Sequence, residues 1–122
     1  MAAAPDRPAV IYHLAPRAAW EAAAQTGEYR SDTLATEGFI HCSTAAQVGP
    51  VAERFFAGRD DLVLLHIRAD RLTAELRYES PDRSPHGEHF PHIYGPLNLD
   101  AVQQVTKFRR LAAGGWPLAA GC

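Results

Sequence analysis

Glu37-Gly38-Phe39-Ile40-His41-Cys42-Ser43-Thr44 is the stretch around which the 122-residue chain is organised. Phe39-Ile40 reads as a short strand, and polar, nucleophile-capable side chains follow at once. An amphipathic run then begins like a helix. A strand that ends in His-Cys-Ser-Thr at a helix start gathers an imidazole, a thiol, two hydroxyls and unpaired backbone N–H groups within one turn. Such a corner suits an anion or a ribose, because the first N–H groups of a helix lack internal partners. Ser43 or Thr44 also reads simply as a helix cap, and Thr44 with Gln47 fits the capping-box spacing.

Outward from this corner, Val48, Val51, Ala52, Phe55 and Phe56 form the i, i+3, i+4, i+7, i+8 stripe of a core-facing helix. Pro50 predicts a kink or a restart within it, and Gly58 an end. Upstream, Val10-Ile11-Tyr12-His13-Leu14 predicts a strand that ends beside His13. Pro16 and Gly27 bracket a helix over 16–26. Tyr29 to Thr36 reads as a polar turn. Downstream, Leu62 to Ile67 predicts a buried strand, with Leu72 to Tyr78 as its hairpin partner. Residues 81–88 read as loop. The prolines around Phe90 to Pro96 predict an edge strand or rigid lip. Val102 to Phe108 reads as a strand, although its three-residue apolar spacing also suits a helix, and Gly114-Gly115-Trp116-Pro117 reads as a hairpin.

Length predicts one domain. The expected limits are a tail over 1–8, a single α+β domain over 9–118 and a short tail over 119–122. Hydrophobic residues make up 47% and charged residues 21%, and the formal net charge is −2. That balance argues against a broad basic surface for duplex nucleic acid but leaves room for a small nucleotide. Cys42 and Cys122 do not form a disulfide framework. No 18-residue apolar run and no signal-like start appear, so the expectation is a cytoplasmic protein with no membrane partner. The oligomeric state is not legible.

Several side chains are capable of chemistry. His13 and His41 each end a predicted strand before a helix, so both corners are expected at one cleft, with Glu79 as the nearest carboxylate. His86, His89 and His92 repeat at three-residue spacing around Glu88. Pro91 removes the helical face that a paired-histidine metal site uses, so loop histidines are the simpler reading and no metal is assigned. Cys42 reads either as a thiolate nucleophile at a helix start or as a small buried residue.

Ile11-Tyr12-His13-Leu14, the helix with Trp20, the Glu37–Thr44 stretch with Gln47, and Phe90-Pro91-His92-Ile93-Tyr94-Gly95-Pro96-Leu97 together resemble a small bacterial family catalogued as a domain of unknown function, number 952. More distantly the chain resembles the ADP-ribosyltransferase superfamily, RNA 2′-phosphotransferases included. There a first strand ends in a histidine that holds the adenosine ribose of NAD, as Tyr12-His13 does by position. A second strand ends in Tyr or His followed by Ser or Thr, and Ile40-His41-Cys42-Ser43 resembles the phosphotransferase form. A later motif supplies a catalytic Glu in the transferases. Here Leu14 replaces the glycine after the first histidine, Pro91-His92-Ile93-Tyr94 stands at the last motif, and only Glu79 and Glu88 lie near it.

The resemblance implies a split β-sheet with two main helices and a nucleotide or NAD cleft. His13, His41, Ser43, Thr44, His92 and Tyr94 are its implied ligand residues, with His13 and Ser43 hydrogen-bonding the dinucleotide and His41 or Tyr94 stacking on a ring. Glu79 and His41 are its implied catalytic residues, for ADP-ribosyl transfer or phosphotransfer. A non-enzymatic small-ligand or protein-binding domain, and a metal- or cysteine-dependent hydrolase, are the alternatives.

Overall fold

The computed structural model describes residues 8–80 and 88–109. The predicted tails, most of the 81–88 loop, the Gly114–Pro117 hairpin, His86 and Cys122 fall outside these residues. Among the described residues, eight strands and three α-helices follow one another as β1 (Val10–Pro16), α1 (Arg17–Thr26), β2 (Glu28–Tyr29), α2 (Asp32–Glu37), β3 (Ile40–His41), α3 (Ala45–Phe55), β4 (Leu62–Arg68), β5 (Glu75–Glu79), β6 (Phe90–Tyr94), β7 (Leu97–Asn98) and β8 (Val102–Phe108). All strand pairs between them are antiparallel.

β4 is the middle strand of a first sheet, ordered β1-β4-β8. Both of its faces are covered, which is why Leu62 to Ile67 lacks a polar alternation. Val63, Leu65 and Ile67 point into a cluster with Ile11, Ala15, Ile40, Ile93 and Leu97. Leu62 and Leu64 point the other way, against Leu14, Phe108 and the α3 residues Val48 and Ala52. Leu65 and Ile67 are fully buried, and each contributes roughly 1.5–3 kcal/mol relative to an exposed side chain.

A second sheet is ordered β3-β6-β5, and β2 with β7 forms a two-stranded ribbon. The two larger sheets meet at a single bridge between Tyr12 of β1 and Ser43, just after β3. The Tyr12 N–H donates to Ser43 O at 2.8 Å, and the Ser43 N–H donates to Tyr12 O at 2.7 Å. The architecture is thus mixed α and β in one domain, with two main helices and the short α2 beside them.

Five expectations need correction. β5 does not pair with β4. The 3₁₀ turn Ala69–Arg71 redirects the chain, both edges of β4 are taken by β1 and β8, and β5 pairs with β6 instead. Nor is β6 a lip, since it is the centre of its sheet despite Pro91. In a strand, a residue's N–H and C=O point the same way, and Pro91 O accepts from the Cys42 N–H at 2.9 Å. The missing proline donor therefore faces the side where β3 has already ended at His41. The polar stretch 29–36 holds the last residue of β2 and most of α2, most of whose residues are exposed. His13 lies inside β1, which pairs with β4 as far as Pro16. Pro50 neither divides nor restarts α3, because it and Ala46, whose carbonyl loses its helical partner, are both exposed.

Candidate functional site

A cleft of about 570 Å³ opens where the two sheets meet. Its lining includes His13, His41, Ser43 and His92 among the residues expected from sequence, with Tyr12 and Tyr29 beside them. Thr44, Glu79 and Tyr94 do not line it. Thr44 is the N-cap of α3, and its N–H donates to Gln47 Oε1 at 3.0 Å. Glu79 and Tyr94 sit behind His92.

His13 faces inward from β1 and is 8% exposed. Its Nδ1 lies 2.5 Å from His41 O and its Nε2 lies 2.9 Å from Tyr29 Oη. Burial pushes its pKa down to about 4, so the ring is neutral at physiological pH. A carbonyl only accepts, so Nδ1 carries the proton and Nε2 accepts from the tyrosine hydroxyl. Burial pushes the Tyr29 phenol up, which keeps it a donor. Both nitrogens of His13 are thus engaged, and the residue ties β1, β2 and β3 together.

His41 reaches the site through α2. That helix ends at Gly38, which takes a φ of +91° and whose N–H donates to Leu34 O at 3.1 Å. This left-handed stop, which only glycine adopts at no steric cost, turns the chain into Phe39 and β3. The Thr33 hydroxyl then donates to Phe39 O at 2.9 Å. The exposed His41 ring lies 3.2 Å from Glu37 Oε1, and both side chains are about half exposed, so the pair adds little to stability.

His92 has the most constrained surroundings. Its ring stacks on Phe39, with centroids 4.2 Å apart and planes 20° apart, and meets the edge of His41 at 5.1 Å. His92 Nδ1 is 2.8 Å from Glu79 Oε1, which also accepts from the Tyr94 hydroxyl at 2.6 Å. The Tyr94 bond first, and the His92 bond second, hold the Glu79 carboxyl below its usual range. Burial lowers the His92 pKa, and the Glu79 bond opposes it. The Arg77 guanidinium lies 4.4 Å from the Tyr94 ring centroid.

Cys42 is 3% exposed, and burial pushes its thiol well up. Of the two readings of Cys42, its burial fits the small buried residue, since loss of solvent disfavours the thiolate. Among the described residues no three His, Cys, Asp or Glu side chains are grouped to hold a metal. Sequence reading missed Tyr29, whose hydroxyl meets His13 from a separate strand pair, β2–β7, and Phe39, whose stacking role gives no local signal. Arg59 is the one cation lining the cleft among the described residues, and it is bound at both ends to Asp61, at 2.9 and 2.6 Å.

The family model described as "Protein of unknown function (DUF952)" matches residues 14–105. The chain belongs to the DUF952 family. The crystal structure of protein CC0527 from Caulobacter crescentus is similar, at 34% identity and a TM-score of 0.76, covering 89% of this chain and 94% of that one. The solution structure of the same protein gives 34% identity and a TM-score of 0.73, covering 88% and 91%. No curated protein matches. The DUF952 match takes in Ser43, His41 and His92 but begins after Tyr12 and His13, so it holds only one side of the seam.

Proposed function

We propose that the cleft at the seam binds a nucleotide, with an ADP-ribosyl compound such as NAD as the ligand class. The observation that carries this reading is the convergence of His41, His92, Tyr12 and Ser43 around one cavity of about 570 Å³. That volume is ordinary for a small-molecule site. Flat rings offer stacking surfaces to a base, and a hydroxyl and imidazoles suit a ribose. The distant likeness to ADP-ribosyltransferases supports the same ligand. The strands that hold Tyr12-His13 and Ile40-His41, β1 and β3, lie on either side of the seam.

NAD fits this set in part. Base and ribose find partners, whereas the pyrophosphate has Arg59 alone among the described lining residues. Recognition therefore rests on the nucleoside end. Thr44 and Tyr94 support the site from behind its wall. Transfer chemistry is the enzymatic form of this reading, with Glu79 acting on the cleft through His92, to which it is bonded. A non-enzymatic binding domain is the second reading. It is favoured by the engagement of both His13 nitrogens and by the protonated, buried Cys42 thiol.

A thermal-shift titration with NAD, ADP-ribose and AMP tests the proposal. A ligand at a hundred times its dissociation constant stabilises the native state by about 2.7 kcal/mol. The expected result is a shift with NAD or ADP-ribose that is reduced in His41→Ala, whose exposed side chain is not needed for folding. No shift at millimolar ligand, with the protein folded, rejects the nucleotide reading.

A further inference from the structure

We propose that Glu79 and His92 form an orienting pair that presents a bare ring nitrogen, His92 Nε2, to the cleft as the acceptor for a ligand hydroxyl. The choice of a ribose hydroxyl as that donor rests on the nucleotide reading, whereas the acceptor itself does not.

Three contacts fix the ring. Glu79 Oε1 takes Nδ1, Phe39 covers one face, and His41 meets an edge. Glu79 is in turn held by the Tyr94 hydroxyl. An ionised carboxylate only accepts, so Nδ1 must carry the hydrogen. A neutral imidazole has one such hydrogen, which leaves Nε2 as a lone-pair acceptor. His92 lines the cleft while Glu79 does not, so Nε2 is the nitrogen left for a ligand, and it makes no hydrogen bond among the described residues. The residue is 5% exposed. Nε2 itself keeps some access to the cleft, since it is not among the fully enclosed polar atoms left without a partner. A ligand that covers it gains by bringing a donor and is penalised when it brings none, which is how a site built for a hydroxyl rejects an analogue lacking it.

The charged and titratable groups around the ring are Glu79 and Arg77 on β5, Tyr94 on β6, His41 on β3 and Glu37 on α2. Protonation of the ring turns Nε2 from acceptor to donor. Affinity for a hydroxyl ligand therefore falls on the acid side of the ordinary imidazole range, while affinity for an anion rises. Glu79 is a positioning residue in this scheme, because it touches His92 and not the ligand.

Long-range ¹H–¹⁵N spectra of histidine-labelled protein at pH 7.5 test the pair directly. The expected His92 state is protonated at Nδ1 and bare at Nε2. Glu79→Gln retains that state, since its amide oxygen still accepts, and Glu79→Leu gives a tautomer mixture. A wild-type ring protonated at Nε2, or at both nitrogens, overturns the proposal. AMP and 2′,3′-dideoxy-AMP then test the donor. The expected result is at least about tenfold weaker binding of the dideoxy compound, a preference lost in His92→Phe, which keeps an aromatic ring against Phe39. Equal binding of both by the wild type overturns the proposal even if the tautomer is as expected. If neither binds and the tautomer is as expected, the nucleotide reading falls and the acceptor pair stands.

Discussion

At His13 a single imidazole holds three strands, and its environment decides its chemistry. Removing the Tyr29 hydroxyl leaves Nε2 buried without its donor. Tyr29→Phe is expected to cost about 1–3 kcal/mol in urea denaturation, with no change of fold. A loss under 0.3 kcal/mol at unchanged m-value would contradict this hydrogen-bond assignment. Cys42 offers a second residue-level check. A thiol that is both enclosed and held protonated reacts slowly, so iodoacetamide at pH 7.5 is expected to leave the Cys42 peptide unmodified until denaturant is added, as read by mass spectrometry. The residue types of this cleft were legible from sequence, because His13, His41, Ser43 and His92 stand at recognisable motif positions. Their partners were not. Tyr29 is 16 residues from His13 and Glu79 is 13 from His92, and each meets its imidazole only in the folded chain, Glu79 through the β5–β6 pairing.

Among the elements, α3 depends on one buried side chain at its start. Gln47 Oε1 accepts from the Thr44 N–H, while its Nε2 donates to Glu88 Oε2 at 3.1 Å and to His89 O at 2.8 Å. It both caps the helix and ties it to the entry of β6. Gln47→Ala is expected to cost about 2 kcal/mol, the sum of a cap and a buried hydrogen bond. A thermal melt unchanged from wild type would contradict that linkage. Helices were the easiest elements to read, since α1 and α3 carry a 3.6-residue period or a proline and glycine at their ends. Strand β4 was legible for a different reason, its unbroken apolar run reporting burial on both faces. Pairing was not legible. A short turn between two extended segments suggests a hairpin, and nothing local reveals that both edges of β4 are already occupied. Pro91 misled in the same way, because a proline is barred from a ladder only where its partner strand continues.

Across the molecule, burial of neutral histidine links folding to acidity. The His13 pKa is about 4 in the fold against 6.5 free, so between these values the unfolded chain binds more protons. Stability is therefore full above about pH 6.5 and is lost as the pH falls towards 4, by on the order of 3 kcal/mol for this group. Burial lowers His92 and His66 as well, which adds loss of the same sign. Guanidinium denaturation at pH 7 and pH 4.5 is expected to show this drop, and His13→Gln to flatten it. A wild-type stability independent of pH over that range would contradict a neutral, buried His13. Among the described residues no helix is long and apolar enough to cross a membrane.

The backbone ladder of the seam is one residue pair wide, with the His13–His41 hydrogen bond and a shared apolar cluster beside it. Its two amides, Tyr12 N–H and Ser43 N–H, are bonded only across that junction. Each exchanges with deuterated solvent only when the halves part or the chain unfolds. The exchange rates at these two positions, compared with Leu65 in the middle of β4, therefore measure how independently one half of the protein breathes against the other. A ligand that bridges the cleft slows those two amides before any others.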